Sequence, residues 1–209
     1  MPNILSYSFD EYLKMVTSFH GNPAPGVLIG GYMVDCAYKH LPKDGLYDVI
    51  CETAKCLPDA VQLLTPCSIG NQWLRIIDVG RYALTFYDKR SGEGIRVYLD
   101  WNLLDKWPAI KGWYLKLMPK EAQSRDVIHR EIREAGTDLC GVEEVKVFVG
   151  TAKKRKSSSI SICLSCGEAY KSEDGAICPA CKGGVLPYDR HEGESAHPSR
   201  LASPIRSKG

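Results

Sequence analysis

Apolar positions recur with two periods along this chain, and the change from one to the other marks out its elements. Tyr12, Met15, Val16 and Phe19 fall at helical spacing. The stretch SFDE ahead of them, residues 8–11, is a capping box: a Ser hydroxyl and a Glu carboxylate three residues later satisfy orphan helix donors reciprocally. The helix should stop near His20 and Gly21, because Gly is a common helix terminator. Pro25 suits the first turn of a second helix over 26–40. Gly30 and Gly31 inside it each cost about 1 kcal/mol relative to Ala. They predict close approach of a neighbouring helix, or of a ligand, at that face.

The period then shortens. LYDVICE, residues 46–52, reads as a strand, and PDAVQLLT, residues 58–65, as a short helix with Pro early. CSIGNQ, residues 67–72, is a turn. WLRIIDVG, RYALTFYDKR and GIRVYLD are three further strand candidates, the last two joined through SGEG as a hairpin. Residues 105–136 are mostly helical, broken at Pro108 and Pro119, and VEEVKVFVG, residues 142–150, is a final strand. The sum is an α+β fold: a mixed sheet of about five strands flanked by helices, occupying residues 1–150.

Composition changes after that point. TAKKRKSSS, residues 151–159, is polar, basic and Ser-rich, and reads as a linker. No aromatic residues interleave with KKRK, so a solvated strap is expected there and nucleic acid is not the expected partner. Residues 192–209 have few apolar groups and are expected to be disordered. Over the whole chain of 209 residues, 44% are hydrophobic and the net charge is +2, a globular balance too near neutral to imply nucleic-acid binding. No apolar run approaches the roughly 20 residues of a membrane span, and MPNILSYSFDEYL lacks the features of a signal peptide. A cytoplasmic protein without membrane attachment is the expectation.

Nine cysteines in such a protein call for metal ligation, reactivity or burial rather than a disulfide frame. Cys163/Cys166 and Cys178/Cys181 are two C-x-x-C pairs separated by eleven residues. Each pair turns two sulfurs toward one point, and two pairs complete the tetrahedron that Zn²⁺ prefers, with Zn–S about 2.3 Å. Iron can occupy the same cage. All four positions would be protein sulfurs, so the metal is expected to be structural, in a small Cys₄ zinc ribbon over 160–191 whose stability comes largely from the ion. A module this small cannot bury much surface alone, and packing against a second copy in a homodimer is one solution.

The stretches FHGNPAPGVLIGGYM, ETAKCLPDAVQLLTPCSIGNQWLRIIDVGRYALTFY and GIRVYL, taken in order, resemble the E-subunit family of formylmethanofuran dehydrogenase over about residues 9–99. The family pattern has a His-Gly-His-x-Cys-Pro-Gly loop, a Cys before an Asp-Ala-Ile-Gln-like helix, a Gly-Cys-Thr-x-Gly turn and a Gly-Lys-x-Ala-x-x-Phe strand. His20 matches the first loop His, while Asn22 stands at the second His and Ala24 at the loop Cys. Cys56 matches the Cys before the helix, and Asp59, Ala60 and Gln62 match the helix. Cys67 matches the turn Cys, with Pro66 and Ser68 in place of Gly and Thr, and Arg81 stands at the Lys position.

The resemblance implies that His20, Asn22, Cys56 and Cys67 line one cleft, a second metal or ligand site. His plus two Cys could hold zinc with one open position, or the two thiols could form a redox pair if their Cα atoms lie within about 7 Å. It also implies an accessory protein for a molybdenum or tungsten enzyme of one-carbon metabolism, with the other polypeptides of that enzyme as partners. The alternatives are an enzyme using Cys56 or Cys67 as nucleophile or redox thiol with His20 beside it, and a nucleic-acid-binding zinc ribbon.

Overall fold

In a computed structural model, residues 3–148, 160–171 and 175–183 are described. The expected linker and C-terminal tail lie outside them. The chain divides into two units, Met1–Lys153 and Lys154–Gly209.

Helix α1, Phe9–His20, begins as its capping box dictates: Ser8 and Glu11 exchange side-chain-to-backbone hydrogen bonds, and Gly21 ends the helix in the left-handed region at φ 84°. Helix α2, Pro25–His40, starts with Pro in its first turn and is buried continuously from Gly26 to Ala37. A helix apolar all round belongs in the middle of a domain. Gly30 and Gly31 are what let two neighbours approach it. A Cβ on Gly30 would lie 2.7 Å from Ala60 Cβ, and one on Gly31 would lie 2.4 Å from Tyr12 Cε1. Both are therefore helix-packing positions.

Strand β1, Tyr47–Cys51, leads into helix α3, Leu57–Leu64, then strand β2, Leu74–Ile76. The hairpin follows as β3, Ala83–Asp88, and β4, Glu93–Leu99. A 3₁₀ turn, Trp101–Lys106, precedes helix α4, Pro108–Tyr114, which Pro108 opens rather than breaks. Helix α5, Arg125–Ala135, and strand β5, Cys140–Lys146, complete the first unit. WLRIIDVG contracts to three paired residues because the N–H groups of Val79 and Arg81 both turn to the Glu52 carbonyl.

The five strands lie in the order β2-β1-β3-β4-β5, with β1 and β2 parallel and the other pairs antiparallel. Val49, Cys51, Leu84, Phe86 and Val97 share the face turned into the core with α2. The opposite face carries a charge network instead. Glu52, only 8% exposed, accepts from Arg96 at 2.7 Å and pairs with Arg81 at 2.6 Å, while Arg96 also reaches Glu143 at 2.9 Å. This is the mixed five-stranded α+β sheet that the pattern predicts. In the second unit, strands β6, Ile160–Ile162, and β7, Ala169–Lys171, form an antiparallel ribbon.

Candidate metal centre and first-domain site

The ribbon delivers the first pair of cysteines at its turn. Cys163 N donates to Glu168 O, and Gly167 N closes the knuckle on Cys163 O at 2.9 Å. Gly167 takes φ 74°, which a Cβ would resist. The second pair lies in the turn that follows, where Lys182 N donates to Cys178 O at 3.1 Å. The four sulfurs of Cys163, Cys166, Cys178 and Cys181 lie within 4.8 Å of one another. Tetrahedral coordination with 2.3 Å bonds sets neighbouring sulfurs about 3.8 Å apart, and Cys166 Sγ lies 3.9 Å from Cys178 Sγ. The donor set therefore fits a metal ion of zinc's kind. Cys178 N–H donates to Cys163 Sγ at 3.3 Å, and such bonds hold the Cys163 thiol down to about 6, favouring the thiolate that ligates.

The first-domain residues have their partners in three places. His20 Nδ1, at the end of α1, lies 2.6 Å from Asp59 Oδ2 in the first turn of α3. A carboxylate only accepts, so Nδ1 is the donor of this pair. Cys56 sits immediately before α3 with φ 58° and ψ −52°, while Leu57 N donates to Lys55 O at 2.6 Å. That is a γ-turn with positive φ, which is strained in a residue bearing a Cβ. The thiol packs on Gly26: a Cβ there would lie 3.1 Å from Cys56 Sγ. Tyr82 completes the corner by donating its hydroxyl to Gly26 O at 2.5 Å. Burial, then Asp59, pushes the Cys56 thiol above its ordinary value.

Cys67 is not in this corner. It follows the far end of α3, its N–H on Thr65 Oγ1 and its thiol donating to Tyr47 O at 3.5 Å. An eight-residue helix, about 12 Å long, separates Cys56 from Cys67 along the chain. The contacts of Cys67 are with Thr65 and Tyr47, and those of His20 and Cys56 are with Asp59, Gly26 and the Lys55–Leu57 backbone. Among the described residues, the four-cysteine cluster is the group of three or more ligands whose donor atoms converge.

Asn22 faces elsewhere again. With Ala24 it lines a cavity of about 520 Å³ whose other wall includes Trp113, Lys116, Lys120 and Arg125. The loop is held there by Ala24 N on Asn22 O, 2.9 Å, and by His129 Nε2 against Pro23 O, 2.9 Å. Nothing in the sequence paired His20 with Asp59 as a hydrogen bond, or assigned Tyr82 or the three cations a place. Cys36 and Cys140, scattered in the sequence, also meet: a bond from Cys140 draws the Cys36 thiol down to about 7.

The fold and the site define a class: an α+β domain followed by a small module whose four cysteines could hold a metal ion. The chain belongs to the FmdE family, described as that of the molybdenum formylmethanofuran dehydrogenase operon, whose model matches residues 19–149. Residues 154–189 match the FmdE treble clef zinc finger. A crystal structure of a tungsten formylmethanofuran dehydrogenase FmdE-like protein from Syntrophus aciditrophicus is 51% identical, with a TM-score of 0.81, and the match covers 89% of this chain and 97% of that one. A probable S-adenosyl-L-methionine-binding protein of Archaeoglobus fulgidus is 27% identical over 192 residues. That match covers 82% of this chain, and the chain spans about half the length of that curated relative (52%).

Proposed function

We propose that this protein is a zinc-binding accessory module that docks on the subunits of a molybdenum or tungsten enzyme of one-carbon metabolism. The observation that carries it is the division of ligands: four sulfurs converge in the small unit, while the larger one has Asn22 and Ala24 where the resemblance has ligands. Cys163, Cys166, Cys178 and Cys181 would hold zinc. A closed shell of protein sulfurs leaves the ion no open position, so it supplies folding energy to a unit with little core of its own. Thiols in this number suit a reducing compartment, and we assign the protein to the cytoplasm.

Metal analysis should give one zinc per chain. Cys178→Ser should lose it and become protease-sensitive in the second unit; full zinc occupancy in that variant would overturn the assignment. Docking is tested by titrating the purified chain against purified catalytic subunits of a formylmethanofuran dehydrogenase. A saturable complex supports the role, and none at tens of micromolar (Kd weaker than about −6 kcal/mol) rejects it.

A thiol enzyme centred on Cys56 is the second reading, favoured by the strained γ-turn and by the His20–Asp59 pair in the same corner. Its weakness is the raised thiol, which is the wrong direction for a resting nucleophile.

A further inference from the structure

The cavity beside Asn22 has a lining chemistry that the accessory role does not use. Lys116, Lys120 and Arg125 stand around it, and none of the three is in an ion pair among the described residues. Glu131 caps the start of α4 through the N–H groups of Ala109 and Ile110, Asp105 pairs with Lys111, and Glu121 and Asp126, which adjoin Lys120 and Arg125 in the chain, are outside the lining. No acidic residue lines the cavity. Three cations on a lining that holds no carboxylate disfavour a metal ion and attract an anion. Asn22 and Ala24 point the same way, since they replace the imidazole and thiol that a metal would need with an amide and a methyl group.

The remaining lining is apolar. Trp113 is half-buried on one side, with Met118 and Ile128 near it. About 520 Å³ is in the range of sites for small molecules. An indole face beside a cluster of Lys and Arg suits a planar ring that carries an anion. Inorganic ions alone would leave the apolar wall wet.

Lys116 adds a discriminating detail. It adopts φ 53°, a left-handed conformation where Gly would be the unstrained choice, at the end of α4, with Leu117 N closing on Gly112 O at 2.9 Å. A lysine here spends stability to place an ammonium at the cavity.

We propose that this cavity binds a phosphorylated planar molecule of nucleotide size, its ring on Trp113 and its phosphates among Lys116, Lys120 and Arg125. The assignment is independent of the accessory role, since it uses neither the zinc unit nor a partner.

The test uses the full zinc-loaded chain with ADP, pyrophosphate and adenosine as probes, followed by calorimetry and tryptophan quenching. ADP should bind saturably in the micromolar-to-millimolar range, pyrophosphate more weakly, and adenosine weaker still. Binding should fall with added salt. Lys116→Gly, which relieves the backbone and folds at least as well, should weaken ADP by about threefold to tenfold, and Lys120→Gln with Arg125→Gln by more than about tenfold. Trp113→Phe should abolish most of the quench. No heat or quench with ADP at millimolar concentration overturns the proposal. So does equal binding of adenosine, or undiminished binding in Lys116→Gly together with the double variant.

Discussion

Replacing Gly31 by Ala tests whether the packing around α2 is as tight as its glycines require. The new Cβ would fall 2.4 Å from Tyr12 Cε1 and 2.7 Å from Cζ, against an ordinary carbon contact of about 3.5–4.0 Å. The ring must move by about 1 Å, yet it is fully buried and its hydroxyl donates to Val27 O at 2.9 Å. Two penalties therefore combine. Overpacking costs about 3 kcal/mol at the severe end of its range, and loss of the buried hydrogen bond adds about 1 kcal/mol. Ala returns about 1 kcal/mol through helix propensity. The net is a loss of about 3 kcal/mol, read as a lower urea midpoint at unchanged slope. A double-mutant cycle locates the cause. In a Tyr12→Ala background the ring is gone, and Gly31→Ala should become neutral or stabilising. A variant as stable as the parent, or one equally destabilised in both backgrounds, would refute the packing argument.

Glu52→Gln should cost about 2 kcal/mol at neutral pH, since it leaves Arg96 with Glu143 alone and weakens Arg81; the exposure of Arg81 and the remaining Glu143 pair keep the loss below that of a fully buried pair. Burial opposes the charge on Glu52, but Arg96 and Arg81 prevail and hold its carboxyl below the ordinary glutamate value. A depressed folded value means that the stabilisation is complete above the unfolded value and is lost as pH falls through the folded one. The gap between parent and variant should thus close in acid; a pH-independent gap in urea melts would reject this. Iodoacetamide should modify Cys56 slowly at neutral pH, with a pH midpoint above 9.0, because burial and Asp59 disfavour its thiolate; rapid alkylation mapped to Cys56 by mass spectrometry would instead favour the thiol enzyme. Sedimentation equilibrium should give a homodimer, whereas a single 23.2 kDa species at micromolar concentration removes that expectation.

What the sequence made legible follows from how far each feature reaches along the chain. The capping box, the Gly21 stop and the Pro25 start are local, and all three appear at those residues. The zinc knuckles are equally local: two residues between cysteines fix the bend, so convergence of four sulfurs could be read from spacing. The five-stranded sheet came from short β-type apolar runs, of which Glu93–Leu99 alternates while Ala83–Asp88 is buried almost throughout. Contacts across long separations were not legible. His20 meets Asp59 across 39 residues and His129 reaches Pro23 across 106, and neither pair has a spacing rule. Cys56 and Cys67 both match the family pattern, and a helix of eight residues lies between them in the chain, a local feature that the Pro and the apolar spacing made legible.

Asn22 and Ala24 join these levels. At the level of sequence they are absences, two ligands missing from a loop that otherwise keeps its His, its Gly residues and its Pro. At the level of the fold the loop retains its path, with Gly21 in the left-handed region and α2 starting where it should. A relic losing its chemistry by drift would leave such a loop facing ordinary surface. Here the same two residues share a cavity lining with three cations, an indole and no carboxylate, contributed by α5, by α4 and by the segment between them. Loss of a cation's ligands on one wall and a cluster of positive charge on the other are mutually consistent. Restoring the ligands by Asn22→His with Ala24→Cys should therefore fail to create a zinc site while Lys116, Lys120 and Arg125 remain. A second tightly bound zinc in that variant would show that the charge around the cavity has no say in what enters it.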